Sequence, residues 1–308
     1  MRVAVVDIGT NSTRLLIGDV DGQGNVDELD RRSQVTRLGD RVDSEGRLSD
    51  AAMERVFATL GEYRRALDDR GVVANLAVLT SAVRDATNGE EFSERVRRDF
   101  GLDARVLAGA DEAQLTFLGA TSGRDEGATV PTVVIDVGGG STEFVVGEGR
   151  KTGFHVSLQA GVVRMSERHI HSDPPDPQEL QRLTADVRET FAAAVLEDER
   201  ERVRAAIAVA GTATSAAAID QELDPYDPAR VHGYPLLLAT TEMLLARLAD
   251  LTEEQRRQVV GLHPDRAPTI VAGMILLGEA MRLFGLDQAE VSEHDILRGG
   301  ALRLAGLG

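Results

Sequence analysis

"VVDIGTNSTRLLIG" at residues 5–18 returns later in the chain as "VIDVGGGSTEFVVG" at residues 134–147. Each phrase runs in the same order: an apolar stretch ending near an aspartate, Asp7 or Asp136, then a glycine-rich turn, then a second apolar stretch beginning near Leu15 or Phe144. β-Branched residues dominate and helical period is weak, so each phrase predicts a β-hairpin with a charged residue at the root of a tight loop. Glycines in such a loop let successive peptide N–H groups point into one concavity, an anion site that needs no cationic side chain. The hydroxyls of Ser12, Thr13, Ser141 and Thr142 would add donors. After the turn one copy carries Arg14, and the other carries Glu143 in the matching place. A single copy reads as an ordinary hairpin. Two copies, one at the start of each half, predict duplicated halves whose loops grip one phosphate chain.

Around the hairpins, apolar runs alternate with longer amphipathic stretches. Residues 3–8, 14–20, 75–80, 132–137, 143–147 and 205–210 read as strands; 49–69, 90–100, 111–121, 176–201, 240–249 and 267–284 read as helices. That alternation predicts a layered α/β protein. The polar, glycine-rich "SGRDEGATVP" at 122–131 reads as a boundary, which divides the chain into domains 1–124 and 125–308.

At 308 residues and 42% hydrophobic content the chain has material for two cores,. It contains no cysteine, which excludes a disulfide framework and a cysteine nucleophile and fits a reducing compartment,. "MRVAVVDI" lacks the blocks of a secretory signal, and the longest apolar run, "IVAGMILLG" at 270–278, is short of the roughly 20 residues that span a bilayer,. These readings predict a cytoplasmic protein without a membrane partner. A net charge of −17 argues against non-specific nucleic-acid binding,. It leaves an anionic substrate open, because arginines and a bound cation can reverse the potential locally.

The turns lack the lysine of a Walker loop, and neither opens directly into a helix as the dinucleotide fingerprint does. They resemble the phosphate hairpins of the actin, hexokinase and acetate kinase superfamily. Within it the match is sharper to the exopolyphosphatase and guanosine pentaphosphate phosphatase family. The residues that carry it are "DIGTNSTRLLI" at 7–17, "TSAVRDATN" at 80–88, "GADEAQLTFLGA" at 109–120, "DVGGGSTEFVVG" at 136–147, "AGTATS" at 210–215 and "SEHDILRGGAL" at 292–302. They follow family order over nearly the whole chain. Two departures stand out: Asp111 occupies a place where many members carry a second glutamate, and the chain looks like the short, two-domain form.

The resemblance implies an α/β fold of two actin-like (ribonuclease H-like) domains with a cleft between them. It implies an exopolyphosphatase that hydrolyses terminal phosphate from inorganic polyphosphate with Mg²⁺ or another divalent cation, and a homodimer. Glu112 would activate the attacking water, and Asp136 and Glu143 would act with it, holding the metal, with Asp7 as a third ligand. Asn11, Ser12, Thr13, Arg14, Arg84, Gly138, Gly139, Gly140, Ser141, Thr142, Gly211 and Thr212 would bind substrate. Other readings stay open from the residues alone. Glu112 at a helix start also suits a cap, Arg84 also suits a surface pair with Asp85, and Gly211–Thr212 also suit a strand end before a helix. At the level of function the alternatives are a guanosine pentaphosphate 5′-phosphohydrolase, a non-catalytic alarmone or polyphosphate sensor, and a sugar-kinase-like phosphotransferase.

Overall fold

The computed structural model describes residues 1–124 and 129–307, so residues 125–128 of the predicted boundary lie outside the described residues. The chain divides into two units. Met1–Gly123 joins His294–Gly308 in one, and Arg124–Glu293 forms the other.

The first unit is built on strands β1 (Arg2–Ile8), β2 (Ser12–Val20), β3 (Val26–Val35), β4 (Ala74–Leu79) and β5 (Ala104–Val106), ordered β3-β2-β1-β4-β5. The first three form an antiparallel meander; β4 runs parallel to β1, and β5 parallel to β4. Alternation along β1 gives the sheet two different faces. Ala4, Val6 and Ile8 pack with Leu15 and Ile17 against Val56, Leu60, Tyr63 and Leu67 of helix α1 (Asp50–Asp69). Val3 and Val5, with Leu16 and Val20, pack instead against Leu297, Ala301 and Leu302 of the last helix, Ile296–Leu304. On that same side Leu76 and Val78 of β4 meet Leu115 of helix α3 (Gly109–Thr121). Between α1 and α3 the short helix α2 (Ser81–Asp85) follows directly on β4.

Residues 294–308 thus depart from the predicted division at 124/125, which left them with the second half. They belong to the first unit because their apolar stripe covers a sheet face that would otherwise be exposed,.

The second unit repeats the plan with β6 (Thr132–Val137), β7 (Thr142–Glu148), β8 (Lys151–Leu158), β9 (Ala205–Val209), β10 (Pro235–Leu237) and β11 (Gln288–Val291). Its order is β10-β11-β9-β6-β7-β8, again an antiparallel meander whose first strand is flanked on the other side by a parallel strand. The duplication read from two short phrases is therefore a duplication of topology, two mixed sheets with helices. Helices α4 (Val162–His169), α5 (Pro177–Ala194), α6 (Ala210–Asp220) and α7 (Ile270–Leu283) surround the second sheet's core. Phe144 anchors that core, edge-on to Phe191 at 4.9 Å and to Phe284 at 5.3 Å.

The helix expected over 176–201 stops at Ala194 and restarts at Glu197. Val195 between them is extended and buried, turned into the core. No described helix is long and apolar enough to cross a membrane.

Candidate active site

The two turns share one backbone design. In the first, the Gly9 N–H donates to the Ser12 carbonyl at 2.9 Å; in the second, Gly138 donates to Ser141 at 3.0 Å. Beyond that closure, the carbonyls of each turn are tied down from one side. The Gly138 carbonyl accepts from Val162 N–H at 2.9 Å, the Gly139 carbonyl from Val163 N–H at 2.8 Å, and the Gly140 carbonyl from Arg164 Nε at 2.9 Å. A trans peptide points its N–H opposite to its C=O. Fixing these three oxygens toward the start of α4 therefore aims the N–H groups of Gly139, Gly140 and Ser141 the other way, as a row of donors for an anion. In the first turn the Thr10 carbonyl accepts from Gly39 N–H at 2.8 Å, and that of Asn11 from Thr36 at 3.0 Å and Arg37 at 2.9 Å. The same reasoning turns out the N–H groups of Asn11 and Ser12.

At the root of each turn stands the pair that differs between the copies. Register places Asp7 opposite Arg14 and Asp136 opposite Glu143. In the first unit Arg14 gives Nε and Nη2 to Asp7 Oδ2 at 2.9 and 2.6 Å, and Nη1 to Asp295 Oδ2. Burial opposes ionisation of both acids. At Asp7 burial prevails and pushes the carboxyl up, although Arg14 pulls the other way. At Asp295 the attraction of Arg14 and Arg31 outweighs burial and holds the carboxyl below its ordinary range. Burial also works against the Arg14 cation, but Asp295 and Asp7 overcome it and keep the guanidinium charged. In the second unit Glu143 is buried and its Oε1 accepts from the Ser157 hydroxyl at 2.6 Å.

Glu112 lies in the first turn of α3, whose start at Ala108 has no side-chain cap. Its carboxylate meets a side chain from α2. Oε2 accepts from Arg84 Nη1 at 3.0 Å, and the same nitrogen donates to the Leu107 carbonyl at 2.9 Å. Arg84, at the end of α2, is thus aimed by the backbone that leads into α3, and its contact with Asp85 is the longer one at 4.0 Å. The start of α2 is itself bound to the first turn, since the hydroxyls of Thr10 and Ser81 lie 2.9 Å apart.

Several residues are placed otherwise than expected. Thr13 and Thr142 do not offer hydroxyls beside Arg14 and Glu143, because neighbouring residues of a strand face opposite sides. Both are fully buried, the Thr13 hydroxyl 3.0 Å from that of Thr36 and the Thr142 hydroxyl donating to the Ala160 carbonyl at 2.5 Å. Thr212, in the first turn of α6, is buried against the backbone of Gly273, and the Arg266 guanidinium lies directly over Gly211. Asp295 and Ser157 were not foreseen. Asp295 did carry a local signal, since an aspartate just before the apolar run "ILRGGALRL" reads as an N-cap,.

The Thr13 placement has a measurable consequence. Thr13→Val keeps the shape and leaves the buried Thr36 hydroxyl unpaired, so stability to urea should fall by about 1–3 kcal/mol with activity per folded molecule unchanged. Thr13→Val combined with Thr36→Val should recover most of that loss. A catalytic defect without a stability change would return Thr13 to the substrate site.

Among the described residues, no group of three or more acidic or histidine side chains comes together that could hold a metal by itself. Asp136 and Glu143, paired across two strands at the root of the turn, instead fit a hard cation that takes one or two carboxylates and completes its shell with water and substrate phosphate.

The chain is similar to several known proteins along nearly its whole length. The model of the Ppx/GppA phosphatase family matches residues 16–303. Exopolyphosphatase 2 of Mycobacterium tuberculosis is 38% identical over 317 residues, with 99% of each chain covered. The crystal structure of an exopolyphosphatase-like protein superposes with a TM-score of 0.93 at 33% identity, covering 98% of this chain and 97% of that one. The Aquifex aeolicus member of the Ppx/GppA family superposes with a TM-score of 0.83 at 30% identity, covering 99% and 97%.

Proposed function

We propose that this protein, which belongs to the Ppx/GppA phosphatase family, is an exopolyphosphatase that removes terminal phosphate from inorganic polyphosphate by hydrolysis. The observation that carries the reading is the turn at 138–141, where three anchored carbonyls aim three N–H groups outward beside two carboxylates. That is a receptor for a polyanion with a cation, and phosphoryl transfer asks for little beyond positioning and charge stabilisation.

In this mechanism the N–H groups of Gly139, Gly140 and Ser141 hold phosphoryl oxygens. Glu112 takes a proton from water as the water oxygen bonds to the terminal phosphorus. The bridging P–O bond breaks and its electron pair leaves on the shortened chain, so each event yields one orthophosphate. Arg84 fixes the Glu112 carboxylate and supplies its counter-charge. Asp136 and Glu143 would hold magnesium, which when bound supplies positive charge to the phosphate oxygens.

The test is phosphate release by the purified protein, run in parallel on short polyphosphate, long polyphosphate, guanosine pentaphosphate and ATP, with and without chelator. Polyphosphate should give the highest kcat/KM, one orthophosphate at a time, and chelation should abolish turnover. Preference for guanosine pentaphosphate would move the substrate within the family. Tight polyphosphate binding with no turnover of any substrate would make the protein a sensor.

A further inference from the structure

The face of β1 and β2 that carries Asp7 and Arg14 is apolar along the rest of its length, through Val3, Val5, Leu16 and Val20. The last helix lies along that apolar part with Leu297, Ala301 and Leu302. Its N-terminus therefore arrives where the sheet face turns charged, and its N-cap is Asp295. One carboxylate does two things there. Oδ1 accepts from Leu297 N–H at 3.1 Å and caps the helix, while Oδ2 accepts from Arg14 Nη1. Only 2% of Asp295 is exposed.

The helix is fixed on its other side as well. It crosses α3 so closely that a Cβ on Gly119 would lie 1.9 Å from the Asp295 carbonyl oxygen, and one on Gly299 would lie 1.9 Å from that of Leu115. The element that delivers Asp295 to Arg14 is therefore in backbone contact with the helix that carries Glu112.

A guanidinium has five N–H groups. Arg14 spends its Nε–H and one Nη2–H on Asp7 and one Nη1–H on Asp295, which leaves one N–H on each terminal nitrogen for a further acceptor. With Asp7 alone the guanidinium would have one anchor; with Asp295 it is held from both sides.

We propose that Asp295 is a positioning residue for the hydrolysis. It acts through Arg14, fixing the guanidinium so that its two remaining N–H groups meet a phosphoryl oxygen. Its negative charge weakens the hold of this cluster on the polyanionic ground state. The inference rests on the exopolyphosphatase reading for its kinetics, but not for its geometry.

The test is Asp295→Asn, which retains an oxygen for Leu297 N–H in an N-cap of equal rank and loses the charge. With polyphosphate and magnesium, kcat should fall roughly 10- to 50-fold while KM falls by about twofold or more, because one negative charge has left the neighbourhood of the substrate. In an Arg14→Met background the same change should lower kcat no further. Arginine side-chain ¹⁵N NMR should find slow rotation about Cζ–Nε of Arg14 in the parent and fast rotation in Asp295→Asn. That last measurement needs no turnover, so it decides the link to Arg14 even if the parent proves inactive on polyphosphate. Three results would overturn the proposal: parent kinetics in Asp295→Asn, an undiminished fall in the Arg14→Met background, or an unchanged KM with a lowered Tm, which would reduce Asp295 to a helix cap.

Discussion

Glu112→Gln is expected to lower polyphosphate turnover by roughly 10²- to 10⁴-fold, the usual worth of a positioned base, while the affinity for polyphosphate survives. Glutamine retains the length of the side chain and an amide oxygen, so the donation from Arg84 Nη1, 3.0 Å from Oε2 in the parent, can persist. What disappears is the ability to take a proton. Removing a negative charge near a polyanion can only favour binding, so KM should hold or fall. A helix-capping role would predict the reverse, a lower Tm with intact activity per folded molecule. The structure gives the Glu112 carboxylate a partner that a cap would not need, since Oε2 accepts from Arg84 Nη1, and the two outcomes decide between the roles. Parent-level turnover in Glu112→Gln would remove Glu112 from the mechanism, whatever the substrate.

Arg84 also shows why sequence separates roles poorly. Its neighbour Asp85 suggested a surface pair, but the carboxylate that comes closest is 28 positions away. The hairpins were legible because their signals are local: β-branched runs, a terminal aspartate and glycines in a fixed order. The direction of individual hydroxyls was not read correctly, although parity contained it. Once Asp7 is opposite Arg14, Ile8 is opposite Thr13, and Thr13 must face α1 with Ile8. β3 escaped notice because "VDELDRRSQV" has no apolar alternation, and its burial is only partial along its length. Asp295 was beyond reach for another reason. It meets Arg14 across 281 positions, and no pattern in either segment specifies a contact created by the packing of the last helix on β1 and β2.

The anchoring of the second turn by α4 leads to the other large effect. Gly161→Ala is expected to reduce kcat/KM for polyphosphate by roughly 10²-fold or more, the scale on which single oxyanion donors act. The backbone at Gly161 is extended, at φ −108° and ψ 168°, a conformation alanine adopts freely. Dihedral preference alone would make the change neutral or stabilising by about 0.4–1 kcal/mol. The obstacle is contact. A Cβ there would lie 2.4 Å from the carbonyl carbon and oxygen of Gly139 and 2.4 Å from the carbonyl carbon of Gly140, all backbone atoms with no flexible side chain to yield. Either the turn or the start of α4 must move, and with it the bonds from Val162, Val163 and Arg164 that hold the Gly138, Gly139 and Gly140 carbonyls. Because each N–H is fixed by the opposite end of its own peptide plane, moving the carbonyls swings the donors. Affinity for tripolyphosphate, measured by calorimetry, should fall together with turnover, which distinguishes this variant from Glu112→Gln. Gly61→Ala supplies the control: it lies within α1, nothing approaches a Cβ at that position within 4 Å, and it should be at least as stable and as active as the parent,. Parent kinetics and parent tripolyphosphate affinity in Gly161→Ala would mean that the aim of these three N–H groups does not govern the reaction.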